Sequence, residues 1–232
     1  MSVLNHSPRI VTKNLVFAID GALSRCWSGS GSVKDLVGGA EGNPIGPTLV
    51  NHMGGCFDFD GTDDRIDFGD LAAANFGTES FSAEVVVEPD NISGWDMIMG
   101  KGASGSTGWS LTIDTSSQYS IDIDAPTNEH RGNSNTAATI GQIAHICGVW
   151  RRSASDTKVF MYINGEQKVA STLSGETATV TNSAQNLTFG TYNAGTSWDL
   201  NGRIHLARLY NAELTEKEIK SNFEATKARF GL

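Results

Sequence analysis

The chain has few cysteines, and their arrangement excludes two common uses of this residue. Cys26, Cys56 and Cys147 are an odd number among 232 residues and show no C-x-x-C spacing. The sequence therefore encodes neither a disulfide framework nor a zinc site. We expect reduced, partly buried thiols, as in a protein made in a cytoplasm.

Basic residues are also scarce. The chain has 17 Lys and Arg against 26 Asp and Glu, a formal net charge of −9. Nucleic acid is therefore not expected as a main partner, because phosphate binding needs a basic face.

No apolar run reaches the roughly 18 residues of a membrane span. The first ten residues, M-S-V-L-N-H-S-P-R-I, lack the basic and apolar regions of a signal peptide, so neither secretion by that route nor a membrane partner is expected.

Motifs of common enzyme classes are missing as well. The sequence contains no G-x-S-x-G, no G-x-G-x-x-G after a strand and no Walker motif, so a nucleophilic triad and a nucleotide cofactor are not indicated. None of the five histidines has a neighbouring Ser or Cys in a recognisable motif. His145 lies in the most apolar segment, which favours a hydrogen-bonded histidine in the core.

Turn-forming residues, in contrast, are abundant: Gly, Ser, Thr and Asn together make up about 37% of the chain. Strand-sized segments alternate with these turns at roughly ten-residue spacing, which predicts an all-β sandwich or barrel. Two hairpins are predicted, one joining Cys56–Asp60 to the segment with Ile66 and one around Asn164-Gly165. The other predicted strands are Leu15–Asp20, Phe81–Glu88, Trp95–Lys101, Trp109–Asp114, Tyr119–Asp124, Ile143–Trp150, Leu187–Gly190 and Ile204–Tyr210.

The last part of the chain changes to a helical period. Thr215 and Glu218 form a capping-box pattern, and Ile219, Phe223 and Phe230 fall on one stripe of a helix predicted over residues 215–230. This helix either covers an open end of its own sheet or docks on a neighbouring subunit through those three side chains. We interpret residues 1–232 as a single domain, with residues 1–14 as an N-terminal arm and residues 21–55 as a surface excursion.

Acidic side chains suggest two candidate sites, each with a simpler alternative. Asp122 and Asp124 alternate along one strand and point to one face, which permits a general acid/base pair. The first position of the E-x-D-x-E pattern of sandwich glycosidases is Ser120 here, so we favour solvent-facing aspartates. Asp63 and Asp64, among six aspartates between positions 58 and 70, are calcium candidates, although the spacing does not fit an EF-hand and hairpin turn residues are the preferred interpretation.

Aromatic residues beside Gly, Ser and Asn loops are the remaining functional signal. Sugar rings stack on such side chains while nearby polar groups bond the hydroxyls. The alternative is that these rings pack beneath their loops. Trp150, in an apolar run, is assigned to the core. The candidate carbohydrate-binding residues are Trp95, Trp109, Tyr119, Tyr192 and Trp198.

Several segments resemble one known family. They are I-V-T-K-N-L-V-F-A-I-D-G-A, G-G-C-F-D-F-D-G-T-D-D-R-I-D-F-G, F-S-A-E-V-V-V-E, K-V-F-M-Y-I-N-G-E-Q and N-G-R-I-H-L-A-R-L-Y-N-A-E-L-T-E-K-E-I-K. They are distributed along the chain and resemble laminin G-like, concanavalin A-like lectin/glucanase domains, a resemblance that extends over nearly all of residues 9–231. The resemblance implies a two-sheet antiparallel jelly roll with one C-terminal helix. Many relatives carry an acidic residue where this chain has His205, a departure that weighs against the calcium site of the family, so no cofactor is expected.

The C-terminal segment N-F-E-A-T-K-A-R-F-G resembles versions of the family in structural proteins of T4-like phages and cyanophages. The resemblance implies a non-enzymatic virion protein, such as a capsid decoration, head fibre or tail-associated protein, made in the bacterial host cytoplasm. Its expected partners are phage capsid or tail proteins, further copies in an oligomer or lattice, and surface polysaccharide. The alternatives are a free carbohydrate-binding module and a glycoside hydrolase or lyase.

Overall fold

The chain folds into two antiparallel sheets and one helix. The computed structural model describes residues 8–103, 107–124, 129–153, 157–173, 180, 184–192 and 197–232. The elements are β1 (Leu15–Asp20), β2 (Val33–Lys34), β3 (Glu41–Ile45), β4 (Thr48–Val50), β5 (Cys56–Asp60), β6 (Arg65–Asp67), β7 (Phe81–Pro89), β8 (Asp96–Ala103), β9 (Thr107–Ile113), β10 (Gln118–Asp124), β11 (Glu129–Ala137), β12 (Ala144–Arg151), β13 (Thr157–Ile163), β14 (Glu166–Leu173), β15 (Leu187–Phe189), β16 (Asn201–Tyr210) and α1 (Glu216–Phe230).

Within the described residues each sheet has eight strands. The first sheet has the order β14-β13-β12-β7-β16-β5-β4, with β1 also paired to β16. The second has the order β11-β10-β9-β8-β15-β6-β3-β2. The predicted all-β jelly-roll sandwich with a C-terminal helix is therefore confirmed.

The main core lies between the two sheets, and strand alternation determines which side chains enter it. In β7, Ala83, Val85 and Val87 point inward, and Trp150 of β12 is fully buried as predicted. All three cysteines are free, and they are almost fully buried rather than partly buried as expected.

The two predicted hairpins have different outcomes. Asn164 and Gly165 have φ angles of 52° and 75° and connect β13 to β14, so the second hairpin is confirmed. The first is wrong. Strand β5 pairs with β4 and β16 in the first sheet, whereas β6 pairs with β3 and β15 in the second. The turn after Asp60 therefore crosses from one sheet to the other.

Residues 21–55 are more than a surface excursion. They supply β2, β3 and β4, and Trp27 is buried with its ring stacked on Phe57 at a centroid distance of 5.7 Å. The low hydrophobic periodicity of this segment hid these short strands.

Helix α1 begins and ends as the sequence predicts. The Thr215 hydroxyl accepts from the Glu218 N–H, the Glu218 carboxylate accepts from the Thr215 N–H, and Gly231 ends the helix with a φ of 70°. Among the described residues, no helix is long and apolar enough to span a membrane.

The interpretation of the helix as a docking surface needs correction. Ile219 and Phe230 are buried against the first sheet of their own chain, and the half-buried Phe223 ring lies 5.6 Å from the ring of His145. The apolar stripe is therefore occupied within the chain, because the outer face of the first sheet carries a second layer of apolar residues that the helix covers. This agrees with the other predicted role, that of covering a sheet.

A buried charge cluster lies beneath this helix. The fully buried Glu84 of β7 accepts from Arg208 of β16 at 2.5 Å, contacts His145 of β12 at 3.0 Å and accepts from Asn222 of α1 at 2.6 Å. Burial alone would raise the pKa of Glu84, but Arg208, His145 and Asn222 outweigh it and hold that pKa at about 2. Three neighbouring strands and the helix are thus joined at one carboxylate.

The chain before β1 also contacts the helix. The Val11 N–H donates to Asn222 Oδ1 at 2.8 Å, the Ser221 hydroxyl donates to the Arg9 carbonyl at 3.0 Å, and Tyr210 Oη donates to the Val11 carbonyl at 3.2 Å. Asn222 is fully buried and bonded at both ends of its amide, so it positions the N-terminal segment against the charge cluster.

Replacing Glu84 tests how much this charge cluster contributes to the free energy of unfolding. We expect Glu84→Gln to lower the free energy of unfolding by about 3 kcal/mol at pH 7, because Arg208 is left charged and buried without a counterion. The low pKa in the folded protein means that the wild-type contribution is complete above pH about 4.5 and is lost as the pH falls towards 2. Urea unfolding across pH 2.5–7 measures both effects.

Glu41→Gln is the matched control. Glu41 pairs with Lys34 at 3.7 Å with both side chains 58% exposed, so its loss should change stability by less than about 0.5 kcal/mol. Equal effects of the two variants would contradict the assignment of a special role to Glu84.

Candidate functional site

The outer face of the second sheet carries polar side chains beside the strands β9, β10 and β11. In β10, Ile121 and Ile123 enter the core, so Ser120 and Asp122 point outward. Asp122 accepts from the Thr112 hydroxyl at 3.0 Å and forms an ion pair with Arg131, which lies directly opposite it on β11. This pairing fixes the guanidinium on the open side of the sheet.

This geometry corrects the interpretation of Asp122. The residue is only 4% exposed and is bonded to Arg131 and Thr112, so it is not a solvent-facing aspartate. A carboxylate engaged in this way is poorly suited to exchange protons with a substrate. The side chain of Asp124, its suggested partner, lies outside the described residues.

Three of the predicted aromatic residues come together on this same face. The Trp95 and Trp198 rings stack at a centroid distance of 5.1 Å, and Tyr192 lies 4.4 Å from Trp198. The Arg131 guanidinium lies 4.4 Å from the centre of the Trp95 ring. We call Trp95, Trp198, Tyr192 and Arg131 the aromatic column.

Two loops position the column. Trp95 directly precedes β8, and Trp198 lies before β16 with a φ of 60°. The Met97 N–H donates to the Trp198 carbonyl at 2.8 Å, which fixes the second loop to the start of β8. A backbone bridge from Tyr192 to Ser197 closes the far side. Trp95, Tyr192 and Trp198, which flank β8, β15 and β16 in the sequence, therefore meet on this face.

The other two predicted aromatic residues do not belong to this surface. Trp109 and Tyr119 are 1% and 2% exposed, because their positions in β9 and β10 share the inward face with Leu111 and Ile121. The Trp109 indole N–H donates to the Ala74 carbonyl at 3.1 Å inside the core. The prediction that these two residues bind carbohydrate is therefore wrong.

The aromatic column offers a ligand a particular kind of surface. Tyr192 is buried, whereas Trp95 and Trp198 are half-buried and cover part of each other. The accessible parts are the outer portions of the two indoles and the Arg131 side chain, which is 33% exposed. Apolar ring edges next to a guanidinium can contact the C–H groups and the hydroxyl or carboxylate groups of a sugar.

The acidic calcium candidates form a loose group around the turn after β5. Asp60, Asp63 and Asp64 place carboxylate oxygens within 4.8 Å of one another, with Asp60 and Asp63 exposed and Asp64 buried. The Asp64 carboxylate accepts from the Asp60 N–H at 2.9 Å, and burial raises its pKa. Its local bond is the kind that shapes a turn, which fits the preferred interpretation of these residues.

A second group of metal-type ligands was not predicted from the sequence. His52, Glu88 and His205 bring two imidazole nitrogens and a carboxylate oxygen within 4.8 Å of one another on the outer face of the first sheet. His52 follows β4, Glu88 lies in β7 and His205 lies in β16, so no local spacing links them. Only the pairing of the strands could have revealed this group.

A titratable residue adjoins the aromatic column. Asp96, next to Trp95, is 1% exposed, and among the described residues its Oδ2 has no hydrogen-bond partner. Burial raises the pKa of Asp96 to about 6, although the Ser93 N–H acts against this shift. The ionised carboxylate is thus a cost to the fold at neutral pH.

Asp96→Asn should remove this cost. Because the pKa is raised in the folded state, wild-type stability falls as the pH rises from about 4 to about 6. We expect the variant to be more stable by about 2 kcal/mol at pH 7.5 and unchanged at pH 4, as measured by urea unfolding at both pH values. A gain of equal size at both values would contradict the charge explanation.

Solved structures with the same architecture come from several kinds of protein. Domain 4 of AbnA, an extracellular GH43 arabinanase from Geobacillus stearothermophilus solved with arabinotriose, superposes with a TM-score of 0.68 at 15% identity, covering 90% of this chain and 98% of that one. The botulinum neurotoxin serotype G binding domain gives 0.67 at 14% identity, covering 90% and 50%. Trypanosoma rangeli sialidase with sialic acid gives 0.67 at 15%, covering 95% and 34%. At these identities the likeness shows the fold.

Comparison of the sequences gives the family. A search against curated proteins finds no match. A family model described as the concanavalin A-like lectin/glucanases superfamily matches residues 60–220, a stretch that runs from the end of β5 into helix α1 and includes the whole aromatic column. The chain belongs to the concanavalin A-like lectin/glucanase superfamily.

Proposed function

We propose that this protein is a non-catalytic glycan-binding domain whose contact surface is the aromatic column. The observation that supports this most directly is the stack of Trp95, Trp198 and Tyr192 beside Arg131 on an outer sheet face. Indole rings and a guanidinium placed outside the core combine an apolar surface with hydrogen-bond donors, which is the combination that sugars require.

Proteins with the same fold indicate which kinds of sugar to test. Solved neighbours include the arabinanase domain in complex with arabinotriose and a botulinum neurotoxin DC binding domain in complex with SialylT. The first ligand is a neutral sugar, whereas sialic acid carries a carboxylate. Arg131 is already paired with Asp122, so its charge does not select between these two classes, and its guanidinium can donate hydrogen bonds to a hydroxyl or to a carboxylate oxygen.

The absence of catalysis is part of the proposal. Asp122, the acidic residue best placed beside the column, is paired with Arg131 and buried. Most glycoside hydrolases use two carboxyl groups that flank the scissile bond, one of them able to donate a proton. Binding without cleavage is therefore the function that the described residues of this face support best.

We further propose that the domain serves as a surface component of a tailed-phage particle. The support is the resemblance of residues 222–231 to the corresponding segment of phage structural proteins. In the structure this segment forms the second half of α1, where Asn222, Thr226 and Phe230 are buried against the first sheet. Mass spectrometry of purified particles, with and without surface labelling, tests this role, and absence of the chain from intact particles would refute it.

Replacement of the column indoles tests glycan binding. After a glycan array has identified a ligand, we expect Trp95→Ala and Trp198→Ala each to weaken binding about tenfold, which corresponds to about 1.4 kcal/mol of lost contact. Isothermal titration calorimetry measures the affinity. Arabinotriose and a sialylated oligosaccharide are the first probes for the calorimetry.

Val37→Ala is the matched control. Val37 is an exposed apolar side chain, 45% accessible, between β2 and β3 at the opposite edge of the second sheet. Its loss should leave the affinity unchanged. If Trp95→Ala and Trp198→Ala lower the melting temperature but bind the glycan as well as wild type, the column only anchors its loops and the proposal is wrong.

A further inference from the structure

We propose that His52, Glu88 and His205 bind one divalent transition-metal ion of the zinc class. His52 Nε2 lies 3.0 Å from Glu88 Oε2, and His205 Nε2 lies 3.5 Å from the same oxygen. Ligands bound tetrahedrally to zinc at about 2.0–2.1 Å are separated by about 3.3 Å. The three side chains therefore need only small rotations to share one ion.

The buried members of this group are short of hydrogen bonds. His205 is fully buried, and within the described part of the chain neither of its ring nitrogens has a hydrogen-bond partner. Glu88 Oε2 and His52 Nε2 likewise have none by hydrogen-bond geometry. Unsatisfied buried polar atoms are costly, and three that converge on one point form a donor set that a bound ion would satisfy.

A β-bulge directs His205 to this position. The register of β16 against β7 shifts between Ile204 and Leu206, so His205 is the extra residue. Both His205 and Leu206 consequently face the helix side of the sheet, while Ile204 and Ala207 enter the main core. Bulges that re-aim a side chain are common beside functional sites.

The donor set selects the type of ion. Calcium and magnesium prefer sites made of oxygen ligands, whereas two imidazoles and one carboxylate suit zinc, cobalt, nickel or iron.

The surrounding charges do not oppose a cation strongly. Arg203 contacts the other oxygen of Glu88 at 3.4 Å but also pairs with Asp58 at 3.1 Å and Asp90 at 2.7 Å. Arg229 is held by both carboxylate oxygens of Asp20, at 2.8 and 3.0 Å. Both nearby cations are thus already compensated.

The site has an open side. A cavity of about 410 Å³ is lined by His52, Glu88, Phe230 and Leu232 among others, and the His52 side chain is 36% exposed. Three protein ligands and one open position leave room for water or for a carboxylate of another molecule to complete the coordination. A bound ion would join the segment after β4 to β7 and β16, next to the end of the helix.

Metal titration of the chelator-treated full chain tests the inference. Wild type should bind one Zn²⁺ per chain by calorimetry, and Co²⁺ should give the visible absorption of a four- or five-coordinate site. Calcium in large excess should displace neither ion. Since loss of a group that merely orients a ligand costs 10- to 100-fold, loss of a direct ligand in His52→Ala should weaken zinc binding by more than about 100-fold.

Two further variants, His205→Ala and Asp63→Asn, make the outcome decisive. His205→Ala removes a buried ring and can fail to fold, whereas His52→Ala alters a partly exposed side chain and should fold. Asp63→Asn changes the separate acidic group around Asp64 and should bind zinc as wild type does. No binding by wild type, unchanged binding by folded His52→Ala, or loss of binding in Asp63→Asn would overturn the assignment.

Discussion

The buried carboxylate of Glu84 is the interaction on which the outer half of this structure depends. An ionised group without solvent is tolerated only where it is fully paired, and here Arg208, His145 and Asn222 supply its partners from two strands and a helix. Each partner can serve Glu84 in one alignment only, so the charge fixes the register of the central strands and the position of the helix. Apolar burial supplies most of the stability, but it is not directional, and this cluster adds the specificity that burial lacks.

The two outer faces of the sandwich have different chemistry as a result. On the first sheet the helix covers apolar residues and the Glu84 cluster, and the His52, Glu88 and His205 group lies where the helix ends. On the second sheet no described helix intervenes, and the polar face is partly covered by the loops that carry Trp95 and Trp198. Protein–protein packing dominates the first face, whereas the second leaves aromatic and charged groups accessible.

Much of the fold could be predicted from the sequence because its signals are local. The strand-length, valine-rich segment Phe81–Glu88, the Asn164-Gly165 turn and the Thr215 capping box each specify a structure within a few residues. The crossing between β5 and β6 could not be predicted. A short polar turn has the same sequence pattern whether the strands on either side pair with each other or belong to different sheets. For the site, the neighbouring Gly, Ser and Asn residues identified Trp95, Tyr192 and Trp198. The same criterion wrongly placed Trp109 and Tyr119 on the surface, because a shift of one residue along a strand moves a side chain from the surface to the core. The histidine pair required tertiary pairing to be seen at all.

The contacts of the N-terminal segment have a consequence for how several copies would act together. Residues Arg9 and Val11 lie against helix α1 on the first sheet, and the aromatic column lies on the opposite side of the sandwich. Copies attached to a carrier through the helix side would present their columns in one common direction. A polymer with repeating sugar units would then meet several weak sites at once, so that avidity, rather than the affinity of any single site, would determine how firmly it is held.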